Sequence, residues 1–462
     1  MPTASEKVLG QLRRHESRNI LFIDPDGIGP IVWDRAKGCQ VVDLEGRRFL
    51  DLTAAFGVAA AGHANPAVVR AARNQLGRLV HAMGDVHPHP GKARLAMELS
   101  RLTYGRWSRR DGVRETGKVI FGSSGFEAVE AALKTARLAT GRPGIVAFEG
   151  GYHGLGYGAL NGTQRAHFRE PFRDQLREFG RFLPFPETAA DLDALEPLLA
   201  AKMADDAVGA VLVEPMQARG GIRIPPPGFL RMLRRLADAS GRLLILDEIY
   251  TGFGRTGTWF ACEHEAVVPD LICLGKALTG GFPLSACVGR DRVMDAWPPS
   301  DGEAVHTSTF LGHPVGCAMA LAQIAELERL RLPARSKRLG KSLQAGLEAV
   351  AAEFPGVVRR VSVSGLMGGI EFRTEDCGPG TALSLGVMRN LLDRGFIVLP
   401  EGAAAEVIGF TPPLTIGEDQ LGRALDALAD SVRGLVASPS APRKRNAGAA
   451  RRRVKKVGKG RP

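Results

Sequence analysis

The chain of 462 residues contains no uninterrupted apolar run close to the roughly twenty residues that a membrane-spanning helix needs, which excludes an integral membrane protein of helical type. A hydrophobic content of 44% excludes a mostly disordered one. CxxC spacing is also missing. Cys39, Cys262, Cys273, Cys287, Cys317 and Cys377 are scattered, which argues against a cysteine-based zinc site. The N-terminal MPTASEKVLGQLRRHE lacks an apolar h-region, and with reduced thiols this predicts a cytoplasmic protein. No repeat of fixed period is present, so a solenoid or propeller is not expected. Acidic residues are absent from one long stretch: 443–461 carries ten Lys and Arg and no Asp or Glu. Elsewhere 51 basic residues face 49 acidic ones, so the formal charge of +12 belongs to this stretch and the body is nearly neutral. Residues 437–462 are small, Pro-containing and basic. They read as a disordered tail, the one segment through which nucleic acid or an anionic surface would be bound.

From about Lys118 to Val288, short apolar runs alternate with helical patterns. The runs are KVIFG (118–122), GIVAFE (144–149), GAVLVEP (209–215), RLLILDE (242–248) and LICLG (271–275). Between them, 125–139 aligns Val129, Leu133 and Ala136, and 228–239 aligns Leu230, Leu233 and Ala237. Strands that are continuously apolar fit a mostly parallel sheet with helices on both faces, an α/β architecture. Val69, Ala72, Leu76, Leu79 and Val80 predict a helix over 66–81. Further helices are predicted over 316–332, 337–354 and 418–435, with strands in RVSVSGLMGGIEF and FIVLP. The expected organisation is a large α/β domain over 65–315 and a smaller α+β domain over 316–436 that borrows residues 1–64.

Ligands of open α/β sheets lie beyond the carboxyl ends of the strands. KVIFG runs through SSG into a helix, whose first amides near Ser124, Gly125 and Phe126 can receive a phosphate or simply be capped. RLLILD ends at Asp247, either a salt-bridged strand end or a carboxylate held in low dielectric for a buried cation. LICLG ends at Lys276, which is a snorkelling surface lysine unless desolvation makes its amine a nucleophile. GIVAFEG leads to Tyr152 and His153 between glycines, where a ring either packs or covers a flat ligand. Together these ends offer a phosphate cup, an aromatic plate, a buried acid and a reactive lysine. Pyridoxal phosphate needs that set, because its phosphate, ring faces, pyridinium nitrogen and aldehyde each require a partner. The pair His87 and His89 lacks a third metal ligand, and His63 reads as structural.

Between about Gly62 and Ile416 the chain resembles the class III (ω-amino) aminotransferases of the fold-type-I pyridoxal-phosphate enzymes. The resemblance runs through GHANPAVVRAARNQL, SSGFEAVEAALKTAR, FEGGYHG, VEPMQARGG, LLILDEIYTGFGRTG, PDLICLGKALTGGFPLSA, HTSTFLGHPVGCAMA and PPLTI. It implies that Lys276 forms the Schiff base, Asp247 pairs with the pyridinium nitrogen, and Tyr152 and Ile249 cover the two ring faces. It also implies that Ser124 and the backbone of Gly125 and Phe126 hold the phosphate, and that Glu214, His153 and Tyr250 complete the cofactor pocket. Thr309 would reach the phosphate of the neighbouring subunit in a homodimer with shared active sites. The implied activity is a ping-pong transfer from a small-molecule amine or ω-amino donor to a 2-oxo acid. The same fold and cofactor also serve racemases, aminomutases and decarboxylases. A non-catalytic scaffold that binds nucleic acid through the tail is the reading from another class, and the intact Lys276, Asp247 and Tyr152 argue against it.

The substrate-reading positions depart from the family pattern. Many relatives have an Arg before the PPL motif; here Gly409 stands there, in EVIGFTPPLTI. The Glu that usually shields that Arg is Arg219, in EPMQARGG, and Leu155 replaces an Arg found in some 4-aminobutyrate enzymes. Phe126 replaces a Ser, Thr or Ala, and Tyr250 replaces a Gln that contacts the ring oxygen in many relatives. Either Arg219 is a relocated carboxylate binder, or the donor has no carboxylate near its reacting carbon. The plainest alternative is that Arg219 pairs with an acid at the rim.

Overall fold

A computed structural model describes residues 2–20, 30–111 and 115–437; most of the expected tail, 438–462, lies outside the described residues. Near the N-terminus, β1 (Trp33–Lys37), β2 (Gln40–Asp43) and β3 (Arg48–Asp51) form an antiparallel ribbon. The large sheet comprises β4 (Gly117–Gly122), β5 (Gly144–Phe148), β6 (Gly180–Leu183), β7 (Val208–Val213), β8 (Leu243–Asp247), β9 (Leu271–Leu274) and β10 (Ser285–Arg290). Its spatial order is β4-β10-β9-β8-β7-β5-β6. The run from β6 to β9 is parallel, and β10 lies antiparallel to both β9 and β4. This is the mostly parallel sheet that the apolar runs predict. Its central strands β5, β7 and β9 are buried along their whole length.

Helices cover both faces because each strand exports apolar side chains to both sides. On one face, Ala128, Val129, Ala132 and Leu133 of the helix Gly125–Thr140 pack with Ile145, Ala210, Leu212 and Ile245. On the other, Phe148 meets Phe229 edge to face, with ring centroids 5.4 Å apart. Each fully buried aliphatic or aromatic side chain contributes about 1.5–3 kcal/mol, so this double-sided core fixes the strand ends firmly.

The smaller domain draws on both chain ends. Strand β11 (Val358–Ser364), β12 (Met367–Phe372), β14 (Leu399–Glu401) and β15 (Val407–Phe410) form an antiparallel sheet ordered β11-β12-β15-β14. The short β13 (Phe396–Ile397) instead pairs in parallel with β3, which ties the C-terminal part to the N-terminal ribbon. No helix among the described residues is long and apolar enough to cross a membrane.

Several boundaries differ from the sequence expectation. The helix predicted over 66–81 ends at Leu76, where Gly77 caps it, and Leu79 and Val80 are exposed beyond the cap. The helices expected over 316–332 and 337–354 span Pro314–Arg329 and Leu332–Glu353. The last helix, Glu418–Ala437, reaches one residue into the expected tail. Strands β6 (GRFL) and β10 (SACVGR) are absent from the predicted runs, since their short, mixed sequences carry no clear strand period. His89 is buried as the N-cap of the helix Pro90–Leu102, and its Nε2 lies 2.7 Å from the Gly312 carbonyl oxygen.

Candidate active site

The carboxyl ends of β4, β5, β7, β8 and β9 converge on a cleft of about 380 Å³, lined by residues that include Gly125, Phe126, Tyr152, His153, Glu214, Arg219, Asp247, Ile249, Tyr250 and Lys276. A second cleft of about 380 Å³, between Leu133, Arg137, Phe179 and Trp297, holds none of these groups.

Asp247 ends β8 with its carboxylate buried. One oxygen lies 2.8 Å from His153 Nδ1, and the other accepts the Ile249 amide at 3.1 Å. Burial alone would lower the His153 pKa, but the hydrogen bond and charge of Asp247, with a smaller push from Glu214, raise it above the ordinary histidine value. Buried Glu214, just beyond β7, accepts the amides of Tyr152 (3.0 Å) and Ala218 (3.1 Å), and burial raises its pKa. It thereby joins the aromatic turn to the β7 end.

Lys276 follows β9 with φ at +42°, a left-handed conformation that a non-glycine residue adopts only under constraint from its surroundings. Its Nζ lies 4.3 Å from the centroid of the Tyr250 ring. Desolvation lowers the lysine pKa, against the opposing pull of Asp247, Glu214 and Glu401. Tyr250 is buried, and its hydroxyl lies 3.2 Å from Thr411 Oγ1.

Ser124 caps the helix Gly125–Thr140, with Glu127 Oε2 accepting the Ser124 amide at 2.8 Å. Its own hydroxyl is buried without a hydrogen-bond partner among the described residues. The first amides of any helix lack intrahelical acceptors, so this end is organised to receive an anion. Gly125 is constrained by its neighbour: a Cβ there would lie 3.0 Å from Ile249 Cδ1. Phe126 is exposed at the mouth.

Three candidates from the sequence are not among the residues that line the cleft: Ser124, which directly precedes Gly125, Thr309 and Gly409. Thr309 is exposed in the 307–310 segment, beside Thr307, whose hydroxyl donates to Asp85 at 2.6 Å. Gly409 is buried within β15, beneath the side chain of Glu401 rather than open to substrate; a Cβ on it would lie 3.1 Å from Glu401 Cγ. The partner of Arg219 is also not a rim acid. Arg219 Nη1 is 3.7 Å from Oε2 of Glu401, which is only 4% exposed. Sequence reasoning missed Glu401, whose setting, LPEGAAAEV, looks like an ordinary turn. The signal available was the side-chain volume vacated at Gly409, which some other residue had to fill. Arg165 was missed as well; its guanidinium donates to the Arg219 carbonyl oxygen.

A sequence model of the family Aminotransferase class-III matches residues 24–432. Over 406 residues the chain is 40% identical to the acetylornithine aminotransferase of Methanopyrus kandleri, covering 87% of this chain and 95% of that protein. Among solved structures it is similar to the ornithine aminotransferase of Toxoplasma gondii ME49, with TM-score 0.81, 26% identity, and coverage of 95% of this chain and 97% of that one. It is also similar to a PLP-bound amine transaminase from an uncultivated Pseudomonas species, with TM-score 0.80, 28% identity, and coverage of 90% and 98%.

Proposed function

The chain belongs to the class-III aminotransferases and is a pyridoxal-phosphate-dependent transaminase, and from that premise we propose that it carries an amino group from an amine or ω-amino donor to a 2-oxo acid in a ping-pong cycle through Lys276. The observation that carries this reading is the meeting, in one cleft, of a desolvated lysine and a buried carboxylate oriented by an imidazole.

The residues fit the cofactor. A buried, unpartnered Ser124 hydroxyl beside a helix start suits a phosphate, and the close approach of Ile249 to Gly125 leaves a flat wall for a ring. In the proposed arrangement Lys276 bonds the aldehyde, Asp247 faces the ring nitrogen, and Tyr152 and Ile249 flank the ring. Ser124 and the amides of Gly125 and Phe126 take the phosphate, while Glu214, His153 and Tyr250 support the pocket. When bound, the cofactor supplies an electron-accepting ring that lets the donor's Cα lose its proton.

The remaining chemistry belongs to the chain. Desolvation favours the neutral amine of Lys276, so its Nζ can accept that proton and return it. His153 Nδ1 holds the Asp247 carboxylate in place at the strand end. Glu214 pins the Tyr152 backbone and with it the ring that walls the cleft. Arg219 offers a guanidinium for the acceptor's carboxylate.

The proposed enzyme is a cytoplasmic homodimer. Exposed Met83, Val86, Val305 and Phe310, all close in sequence to Thr309 or to its neighbour's partner Asp85, support an apolar surface covered by a second copy, with Thr309 reaching the other subunit's phosphate. Amines, ω-amino acids and α-amino acids should be screened for conversion of the cofactor's absorbance to that of its amine form. Conversion by at least one donor is expected. A holoenzyme that converts none would overturn the proposed cycle.

A further inference from the structure

One buried carboxylate next to the cleft, behind the lining residue Arg219, has no task in holding the cofactor. Glu401 closes β14 at 4% exposure, and its Oε2 finds no hydrogen-bond donor among the described residues. An unsatisfied buried carboxylate oxygen is costly, and the Arg219 contact at 3.7 Å is too long for a hydrogen bond. Gly409 gives the side chain room: Leu399 of β14 stands opposite Gly409, and Glu401 Cγ would lie 3.1 Å from a Cβ there, closer than an ordinary contact. A carboxylate therefore fills this space, and the guanidinium stands across from it at Arg219. The two differ in freedom. Glu401 is fixed in a strand, whereas the Arg219 guanidinium is about a third exposed and lies 5.9 Å from the Tyr152 ring centroid. The Arg219 main chain is pinned by the Gly402 amide at 3.3 Å and by Arg165, so its side chain can turn outward without moving the cleft wall.

We propose that Glu401 is a specificity-determining residue that receives a second ammonium group of the amino donor, so that the site prefers diammonium donors to monoamines of equal length. The inference rests on the transaminase reading. An incoming ammonium gives Oε2 the N–H donor it lacks and displaces the long Arg219 contact, a charge-for-charge exchange. Arg219, Arg165, Lys276 and Glu214 are charged groups that face Glu401, and the buried Tyr250 hydroxyl also feels its charge. Burial, the largest influence, pushes its carboxyl up to about 7 against the three cations. The preference for dications should accordingly strengthen as pH rises through that value and fade below it.

The test compares 1,3-diaminopropane through 1,6-diaminohexane with the n-alkylamine of the same carbon number, on wild-type holoenzyme, Glu401→Gln and Glu401→Asp. For at least one length, wild type should show kcat/KM about tenfold higher for the diamine, expressed in KM. Glu401→Gln should level the pair and abolish the pH inflection, while Glu401→Asp retains part of the preference. No preference at any length, or an equal loss on diamine and monoamine, overturns the proposal. With 4-aminobutyrate run beside these pairs, a loss confined to it also overturns the proposal, because it would make Glu401 merely the counter-ion of Arg219. A second readout does not need turnover: calorimetric binding of the same amines to borohydride-reduced holoenzyme. Tighter diamine binding that vanishes in Glu401→Gln supports the subsite, and equal binding overturns it. Failure of the transaminase reading would appear separately, as wild type converting no donor at all.

Discussion

Asp247→Asn asks whether β8 delivers a charge or only a shape. Asn keeps a side-chain oxygen that can accept the Ile249 amide, and its volume is nearly unchanged, so neither the cleft nor the strand end should move. What disappears is a unit negative charge whose oxygen lies 2.8 Å from His153 Nδ1, both groups being buried. For a protonated His153 at that separation and an effective dielectric of about 20, Coulomb's law gives roughly 6 kcal/mol of gross attraction. Desolvation offsets part of this, and removing one partner of a buried ionic pair costs about 3–5 kcal/mol. If the same charge stabilises positive charge at the cofactor's ring nitrogen in the transition state, a loss of about 4 kcal/mol corresponds to a rate lower by about 10³. The assay is the single-turnover rate of the donor half-reaction on cofactor-loaded protein, with circular dichroism and absorbance to verify fold and loading. Asp247→Asn should load cofactor and react about 10³-fold more slowly. A variant within about tenfold of wild type would refute the assignment of an electrostatic role to Asp247.

Other substitutions probe separate parts of the same scheme. Lys276→Ala should abolish covalent attachment, so that borohydride treatment followed by mass spectrometry finds no adduct at the peptide containing residue 276; a normal adduct there would sink the assignment. Because burial lowers the Lys276 pKa below its unfolded value of 10.5, the folded apoenzyme binds fewer protons than the unfolded chain as pH approaches 10.5. Apoenzyme stability to urea should therefore gain from this residue as pH rises through that window, and Lys276→Met should remove the gain. Glu248 is buried and accepts the amides of Ala261 and Cys262, each at 2.8 Å; Glu248→Ala orphans both, at about 1–3 kcal/mol each, which a lowered unfolding midpoint would register. Gly409→Arg should not restore an open guanidinium site, because its first side-chain carbon meets Glu401 Cγ at 3.1 Å; about 1–3 kcal/mol of destabilisation is expected, relieved when Glu401→Ala is added. Removal of residues 438–462, which follow the helix ending at Ala437, should leave turnover unchanged.

Much of the catalytic cleft is legible in the sequence because its parts are local. A continuous apolar run predicts a buried parallel strand, and the residue that interrupts the run falls at the strand's end. Asp247 and Lys276 are recognisable for that reason, and Ser124 because a cap must precede the apolar face of Gly125–Thr140. The less regular strands were harder to read. β6 and β10 are short or mixed in composition, and their pairing with β5, β9 and β4 supplies what their own periodicity does not. The overlong helix prediction at 66–81 failed similarly: Leu79 and Val80 fall in helical phase, but Gly77 ends the hydrogen-bonded run before them.

The sequence by itself therefore determined the α/β class, where several strands end along the chain, and the lysine and aspartate those ends present, since these follow from hydrophobic period and strand termination within a few residues. Only the tertiary structure decided which side chains answer one another across the cleft. His153 meets Asp247 across 94 positions of chain, and Glu401 occupies the room left by Gly409 through the register of β14 with β15. Such pairings depend on strand order, register and the volume of a missing side chain. None of these is a property of any one segment, so the exchange of charge between Arg219 and Glu401 becomes visible only when the strands are assembled.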